Sequence, residues 1–249
     1  MLSKSQISFI KSLHQKKYRK EQRLFIIEGI KSIVEFVPSN YQIHSIYFLA
    51  QYQSLLPKLP SNIKLFEVNN TELEKISTLQ APQGILALVN IPETTAFDKR
   101  TLNNNFSLVL DGVQDPGNLG TIIRTADWFG FKNVICSLHT VEVYNPKTVQ
   151  ATMGSLCRVN VSYHDLPVWL KDIKLPVFGA MLDGNSLYET KWGTEGLVIL
   201  GNEGQGVSPE VSNLINNPVT IPRVGEAESL NVAVSAAIFC ADISRNLQK

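Results

Sequence analysis

The chain has little cysteine: Cys136, Cys157 and Cys240 are the only ones in 249 residues. Their odd number and wide spacing exclude a disulfide framework and a CxxC metal site, and leave buried reduced thiols as the reading. Histidine is as scarce, and His14, His44, His139 and His164 show no ligand spacing, so no metal is expected. No apolar run approaches the roughly 20 residues that span a bilayer, so no membrane is expected as a partner. The opening stretch MLSKSQISFIKSLHQKKYRK lacks the apolar segment of a secretory signal, which makes the cytoplasm the default location. No Ser-His-Asp or Cys-His arrangement presents itself, and there is neither an internal repeat nor a low-complexity tract.

What is present is an ordinary globular composition with an uneven charge. Hydrophobic residues make up 44% and charged residues 18%, enough apolar material for real cores in one large or two modest domains. Residues 1–31 carry eight Lys and Arg against two Glu, a local charge of +6; with the whole chain at +1, the remainder stands at −5. Such a basic patch suits a phosphate backbone, and an ordinary solvated helix face accounts for it equally well.

The pattern is α/β throughout. In residues 1–90, Ser3 or Ser5 opens a helix with Ile7, Ile10 and Leu13 on one face. The short apolar run at Leu24 reads as a buried strand and those at Ile43, Ile63 and Gly84 as further strands, with helices at Ile30–Val37 and from Asn70 through Leu79. This alternation predicts a small three-layer domain with a mostly parallel sheet. Residues 91–105 have Pro, Thr and Asn without a period and read as a linker. Over residues 106–249 the alternation restarts, and its last helix, LNVAVSAAIFCADI from Leu230, is apolar around most of its circumference. Such a helix must be covered on more than one side, and a partner subunit is the expected cover.

Three strand-to-helix turns in this second region concentrate the unusual chemistry. They read DGVQDPGNLGTIIRTADWFG from Asp111, LVILGNEGQGVSPE from Leu197, and IPRVGEAESLNVAVSAAIFC from Ile221. In an open α/β sheet such turns lie at the carboxyl ends of strands, where ligands bind. Singly, each admits a plainer account: Asn118 as a helix N-cap, Arg124 as a surface arginine paired with Asp127 or Asp115, Glu203 as a solvated residue in a flexible turn, Ser229 as the cap of the last helix. The second segment is Gly-x-x-Gly-x-Gly, not the dinucleotide Gly-x-Gly-x-x-Gly, and lacks the Gly-Lys-Ser/Thr of a phosphate loop.

Together, Asn118-x-Gly120-x-x-x-Arg124, Gly201-x-Glu203-x-x-Gly206, and Ile221-Pro222 followed by Ser229-Leu230-Asn231-Val232 strongly resemble the three motifs of the SpoU/TrmH-type RNA ribose 2′-O-methyltransferases of the SPOUT superfamily. The resemblance covers roughly residues 106–246. The first ninety residues, with RLFIIEGIKSIVE from Arg23, are similar to the small ribosomal-protein-like substrate-binding domain that precedes the catalytic domain in many members.

The resemblance implies an α/β catalytic domain with a deep trefoil knot, working as a homodimer with the knot at the interface. S-adenosylmethionine would lie in the knot, held near Leu200, Gly201, Gly206, Ile221, Leu230 and Asn231. Arg124 would activate or orient the ribose hydroxyl, with Asn118, Glu203, Ser229 and Asn231 shaping the site. RNA would meet the basic residues Lys16, Lys17, Arg19, Lys20 and Arg23. A guanidinium is a poor base, so either the RNA phosphate assists or Arg124 acts as an electrostatic clamp. Arg223 stands where an apolar residue is common after Ile-Pro. The extra N-terminal domain leans toward ribosomal RNA. Transfer RNA, or an RNA-binding protein without catalysis, are the alternatives, and an oxidoreductase is disfavoured for want of the dinucleotide fingerprint.

Overall fold

The computed structural model describes residues 1–93 and 96–248, and divides the chain into two compact units, Met1–Thr95 with Glu142–Cys157, and Ala96–Val141 with Arg158–Lys249. The first unit contains α1 (Lys4–Ser12), α2 (Lys16–Gln22), β1 (Leu24–Glu28), α3 (Ile30–Phe36), β2 (Ile43–Phe48), β3 (Lys64–Glu67), α4 (Asn70–Ile76) and β4 (Ile85–Asn90). Ser3 and Gln6 form a capping box on α1, as do Asn69 and Glu72 on α4. Helix α4 stops at Ile76, short of the expected Leu79. The Ser77 hydroxyl donates to the buried Glu28 carboxylate at 2.5 Å, and Thr78 donates to the same group from its backbone N at 2.8 Å and from its hydroxyl.

The sheet of this unit is not mostly parallel. Its order is β1-β4-β2-β3, and β4 runs antiparallel to both neighbours, leaving only β2–β3 parallel. Strands buried on both faces read as continuous apolar runs whichever way they point, so the pattern carried no direction.

Residues 142–157, far beyond the expected boundary at residue 106, cluster with the first unit. One face of β1 and β4, with Leu24, Ile26, Leu86 and Leu88, packs on Ile10 and Leu13 of α1 and Leu73 and Ile76 of α4. The other face presents Phe25, whose ring meets Phe36, Tyr41 and Tyr144 at centroid distances of 5.9, 5.8 and 4.7 Å. Tyr144 leads into α6 (Pro146–Thr152), so the second covering layer of this sheet comes from far along the chain. In the expected linker, Thr94 and Thr95 lie outside the described residues; Lys99–Leu102 form a 3-10 turn that buries Leu102.

The second unit is built on β5 (Phe106–Leu110), β6 (Asn133–Ser137), β7 (Asn160–His164), β8 (Val177–Ser186), β9 (Gly196–Leu200) and β10 (Asn217–Thr220). All are parallel, in the order β10-β8-β9-β5-β6-β7. The order reverses between β5 and β9, which makes a switch point there. One face carries Val109, Ile135 and Ile199 against α7 (Leu166–Lys171), a helix the sequence pattern did not reveal, and α8 (Pro209–Ser212). The other is covered by α5 (Pro116–Trp128) and α9 (Val232–Leu247), which pack on each other. Much of the apolar surface of α9 is therefore covered within its own chain: Phe239 is 1% exposed and meets the Trp192 ring at 6.0 Å.

Candidate active site

Helix α5 begins earlier than the sequence suggests. Its N-cap is Asp115, which accepts from Asn118 N at 2.8 Å, with Pro116 at the first helical position. Asn118 is thus not a cap, and its amide is free for other work. Its Nδ2 donates to Glu203 Oε1 at 2.9 Å, and its Oδ1 accepts from Asn231 Nδ2 at 3.0 Å. Glu203 also accepts from Gln114 N at 3.3 Å and Asp115 N at 3.5 Å, the donors just ahead of α5, where the helix dipole favours an anion. Asn231, rather than Ser229, caps α9, its Oδ1 accepting from Ala233 N at 2.8 Å and Val234 N at 3.3 Å. An amide that donates and accepts at once is needed at both 118 and 231, and asparagine supplies it. The three motif segments are joined into one polar chain.

Beside this chain lies a cleft of about 650 Å³, within the range of small-ligand sites. Of the residues expected around a cofactor, Leu200, Gly201, Gly206, Ile221 and Leu230 line it, as do Glu203 and Ser229; Asn231 stands outside the lining, at the cap of α9. The loop after β9 is closed by mutual backbone hydrogen bonds between Asn202 and Gly206, at 2.8 and 3.0 Å. A Cβ on Gly201 would overlap the Gly206 and Val207 backbone, so that position admits only glycine. Arg223 lines the cleft and donates to Ala227 O at 3.3 Å, across its own loop.

Arg124 stands apart. It is exposed on α5, does not line the cleft, and among the described residues has no hydrogen bond or ion pair. The carboxylates that would have made it an ordinary surface arginine are committed elsewhere. Asp127 pairs with Arg158, whose Nη2 lies 2.9 Å from Oδ2, and Asp115 caps α5.

The SpoU rRNA Methylase family matches residues 105–241, more than half the chain. This protein belongs to that family. An MRM3-like substrate binding domain matches residues 4–87. The 23S rRNA (guanosine(2553)-2′-O)-methyltransferase RlmP of Bacillus subtilis is 33% identical over 234 residues, covering 92% of each chain. A TrmH-family protein from Porphyromonas gingivalis superposes with a TM-score of 0.88 at 38% identity, over 98% of this chain and 99% of that one. The AdoMet-bound rRNA methyltransferase from Sinorhizobium meliloti does so with a TM-score of 0.87 at 27% identity, over 99% and 97%.

Within this SpoU-family chain, the five basic residues expected at an RNA surface separate into three kinds. Lys16, Lys17 and Lys20 are exposed on α2, with Lys17 over the Tyr18 ring at 5.8 Å. Arg23 is exposed but donates to Ile91 O and Pro92 O at 3.1 and 2.6 Å. Arg19 is a correction: only 2% exposed, it donates to Leu13 O and His14 O and pairs with Glu142 at 2.6 Å, so it is a structural residue of the first unit.

Three residues of the site escaped sequence reasoning. Asn202 donates to Gly112 O at 2.7 Å and accepts from Gly204 N and Gln205 N, which ties the β9 loop to the end of β5. Asp111 accepts from Ser208 N at 2.8 Å, and the Gln114 side chain donates to His139 O at 3.2 Å. All three stand inside or beside the motifs, and only their partners distinguish them from turn residues. Among the described residues no group of His, Cys, Asp and Glu is arranged to hold a metal ion, and no helix is long and apolar enough to cross a membrane.

Proposed function

We propose that this SpoU-family protein transfers a methyl group from S-adenosylmethionine to a ribose 2′-hydroxyl of ribosomal RNA in the cytoplasm. The observation that carries the reading is the Glu203–Asn118–Asn231 chain of hydrogen bonds beside the cleft, which locks three separate loops into one frame. A preorganised frame is what methyl transfer from an activated donor chiefly requires, since positioning lowers the barrier.

Leu200, Gly201, Gly206, Ile221 and Leu230 would hold the cofactor: an apolar wall and glycine backbone suit a flat nucleoside, and Glu228 offers a carboxylate to an amine. When bound, S-adenosylmethionine supplies a methyl group on a sulfonium, already activated for transfer. Arg124 clamps the ribose hydroxyl and its phosphate, its guanidinium stabilising charge as it develops on the oxygen. Glu203 is poorly placed as the proton acceptor, because its carboxylate is occupied by Asn118 Nδ2, Gln114 N and Asp115 N. The proton passes instead to an RNA phosphate oxygen.

Residues 106–249 are the catalytic part and residues 1–90, with exposed Lys16, Lys17 and Lys20, the RNA-binding part. The chain through loops 201–206 and 221–231 forms a trefoil knot, a reading supported by membership of the SpoU family. The protein acts as a homodimer, with exposed Val234 and Leu247 of α9 and Trp128 of α5, 84% exposed, against a second copy.

The test is incubation with radiolabelled cofactor and ribosomal RNA transcribed without modification, with transfer RNA alongside, followed by mapping of 2′-O-methyl positions. Label at a single ribosomal ribose is expected. Label confined to transfer RNA, or to a base, overturns the reading.

A further inference from the structure

We propose that the turn Ser137–Thr140, with Leu138 and His139 at its tip, receives the base of the nucleotide being methylated. This rests on the proposed RNA methylation and extends it to base recognition. The turn follows β6, whose residues are all buried, yet Leu138 is 64% exposed and His139 is exposed beside it.

The turn is held rigid from below. Thr140 N donates to Ser137 O at 3.1 Å, and Thr140 Oγ1 donates to Leu110 O at 3.0 Å. Since that uses the only hydroxyl hydrogen of Thr140, the 3.1 Å contact between the two hydroxyls is a donation from Ser137. Gly112 N donates to Ser137 Oγ at 2.9 Å, which ties the turn to the end of β5. Both hydroxyl residues are buried. A plain solvated turn requires none of this, and a leucine at its tip gains nothing from water.

Gln114 sets this turn in the frame of the active site. Its side chain donates to His139 O at 3.2 Å while its backbone N donates to Glu203 at 3.3 Å. The cleft is lined from the β8, β9 and β10 side of the switch point, and β6 stands on the opposite side of β5. In this scheme a nucleotide whose 2′-hydroxyl faces the cleft extends its base toward the ends of β5 and β6. There exposed Leu138 and His139 offer an apolar side chain and an imidazole ring, groups of the kind that take the face of an unstacked base. Gln114 is a positioning residue in this scheme.

The test compares the parent protein with Leu138→Ala, His139→Ala and the conservative Leu138→Met on an unmodified 23S ribosomal RNA transcript. Fragments carrying each of the four bases at the mapped target are run in parallel. Both alanine variants should raise KM for RNA at least about tenfold and weaken discrimination among the four bases. Cofactor affinity and kcat at saturating RNA should stay near the parent values, and Leu138→Met should restore KM. Alanine variants with KM within about threefold of the parent and unchanged base preference, while the parent methylates, overturn this proposal alone. A parent protein that methylates no RNA overturns the functional reading and this proposal with it.

Discussion

Asn231 Nδ2 donates to Asn118 Oδ1 at 3.0 Å, joining the starts of α9 and α5 across 113 positions of sequence. Asn118→Ala should break the polar chain on both sides and leave Glu203 with backbone donors only. Cofactor titration should change little, while single-turnover methylation should fall roughly tenfold or more from lost alignment. Asn118→Asp should be worse, because it sets a carboxylate against Glu203 where the amide now donates at 2.9 Å. Its melting temperature should lie below that of Asn118→Ala; the reverse order would mean that Glu203 is not held in this contact.

Arg124 has no partner among the described residues, so its removal should not cost stability. Arg124→Ala should leave melting temperature and cofactor affinity within error and lower methyl transfer by about a hundredfold. Arg124→Lys should recover little, since an ammonium lacks the planar two-pronged contact. Single-turnover methylation at saturating cofactor and RNA decides it, and activity within a few-fold of the parent would make Arg124 a bystander.

Arg19 and its lysine neighbours should behave oppositely. Arg19→Ala strands the Glu142 carboxylate and two backbone carbonyls, and should cost about 3 kcal/mol of stability in a denaturant titration. Changing Lys16, Lys17 and Lys20 to Glu should instead leave stability nearly untouched and flatten the salt dependence of RNA binding, by about 0.9 in slope per lost contact on a duplex. An unchanged slope would leave α2 as a solvated face.

The His164 ring meets those of Phe97 and Trp169, at centroid distances of 5.6 and 5.3 Å. Burial, and then the charge of Lys99, hold its pKa below the ordinary histidine value. The folded protein therefore binds fewer protons than the unfolded chain in the window below about 6.5, so stability should fall as pH drops through it. His164→Phe should reduce that acid-side loss in denaturant titrations between pH 7 and 5. An identical pH dependence would exclude His164 as its source.

Most strands and the three motif loops were legible in the sequence because continuous apolar runs and Gly, Pro and Asn turns are local signals. What was not legible depended on partners far away. Asn118 and Ser229 are both good capping residues, yet Asp115, followed by Pro116, caps α5 and Asn231 caps α9, and it is the Asn118 amide's use by Glu203, 85 positions on, that sequence could not show. Arg19 looks like Lys17 and Lys20 until Glu142, 123 positions on, is brought against it. Helix α7 has six residues, too few for a helical period to show.

The position of α6 in the first unit has a consequence for how the protein is made. A nascent chain that has emerged as far as Thr95 carries all four strands of the first sheet but not Tyr144 or α6, which cover the face bearing Phe25. Nearly fifty further residues, including β5, α5 and β6, must be synthesised before that layer arrives. The last layer of the amino-terminal unit is thus encoded only after the first strands and helix of the carboxyl-terminal one.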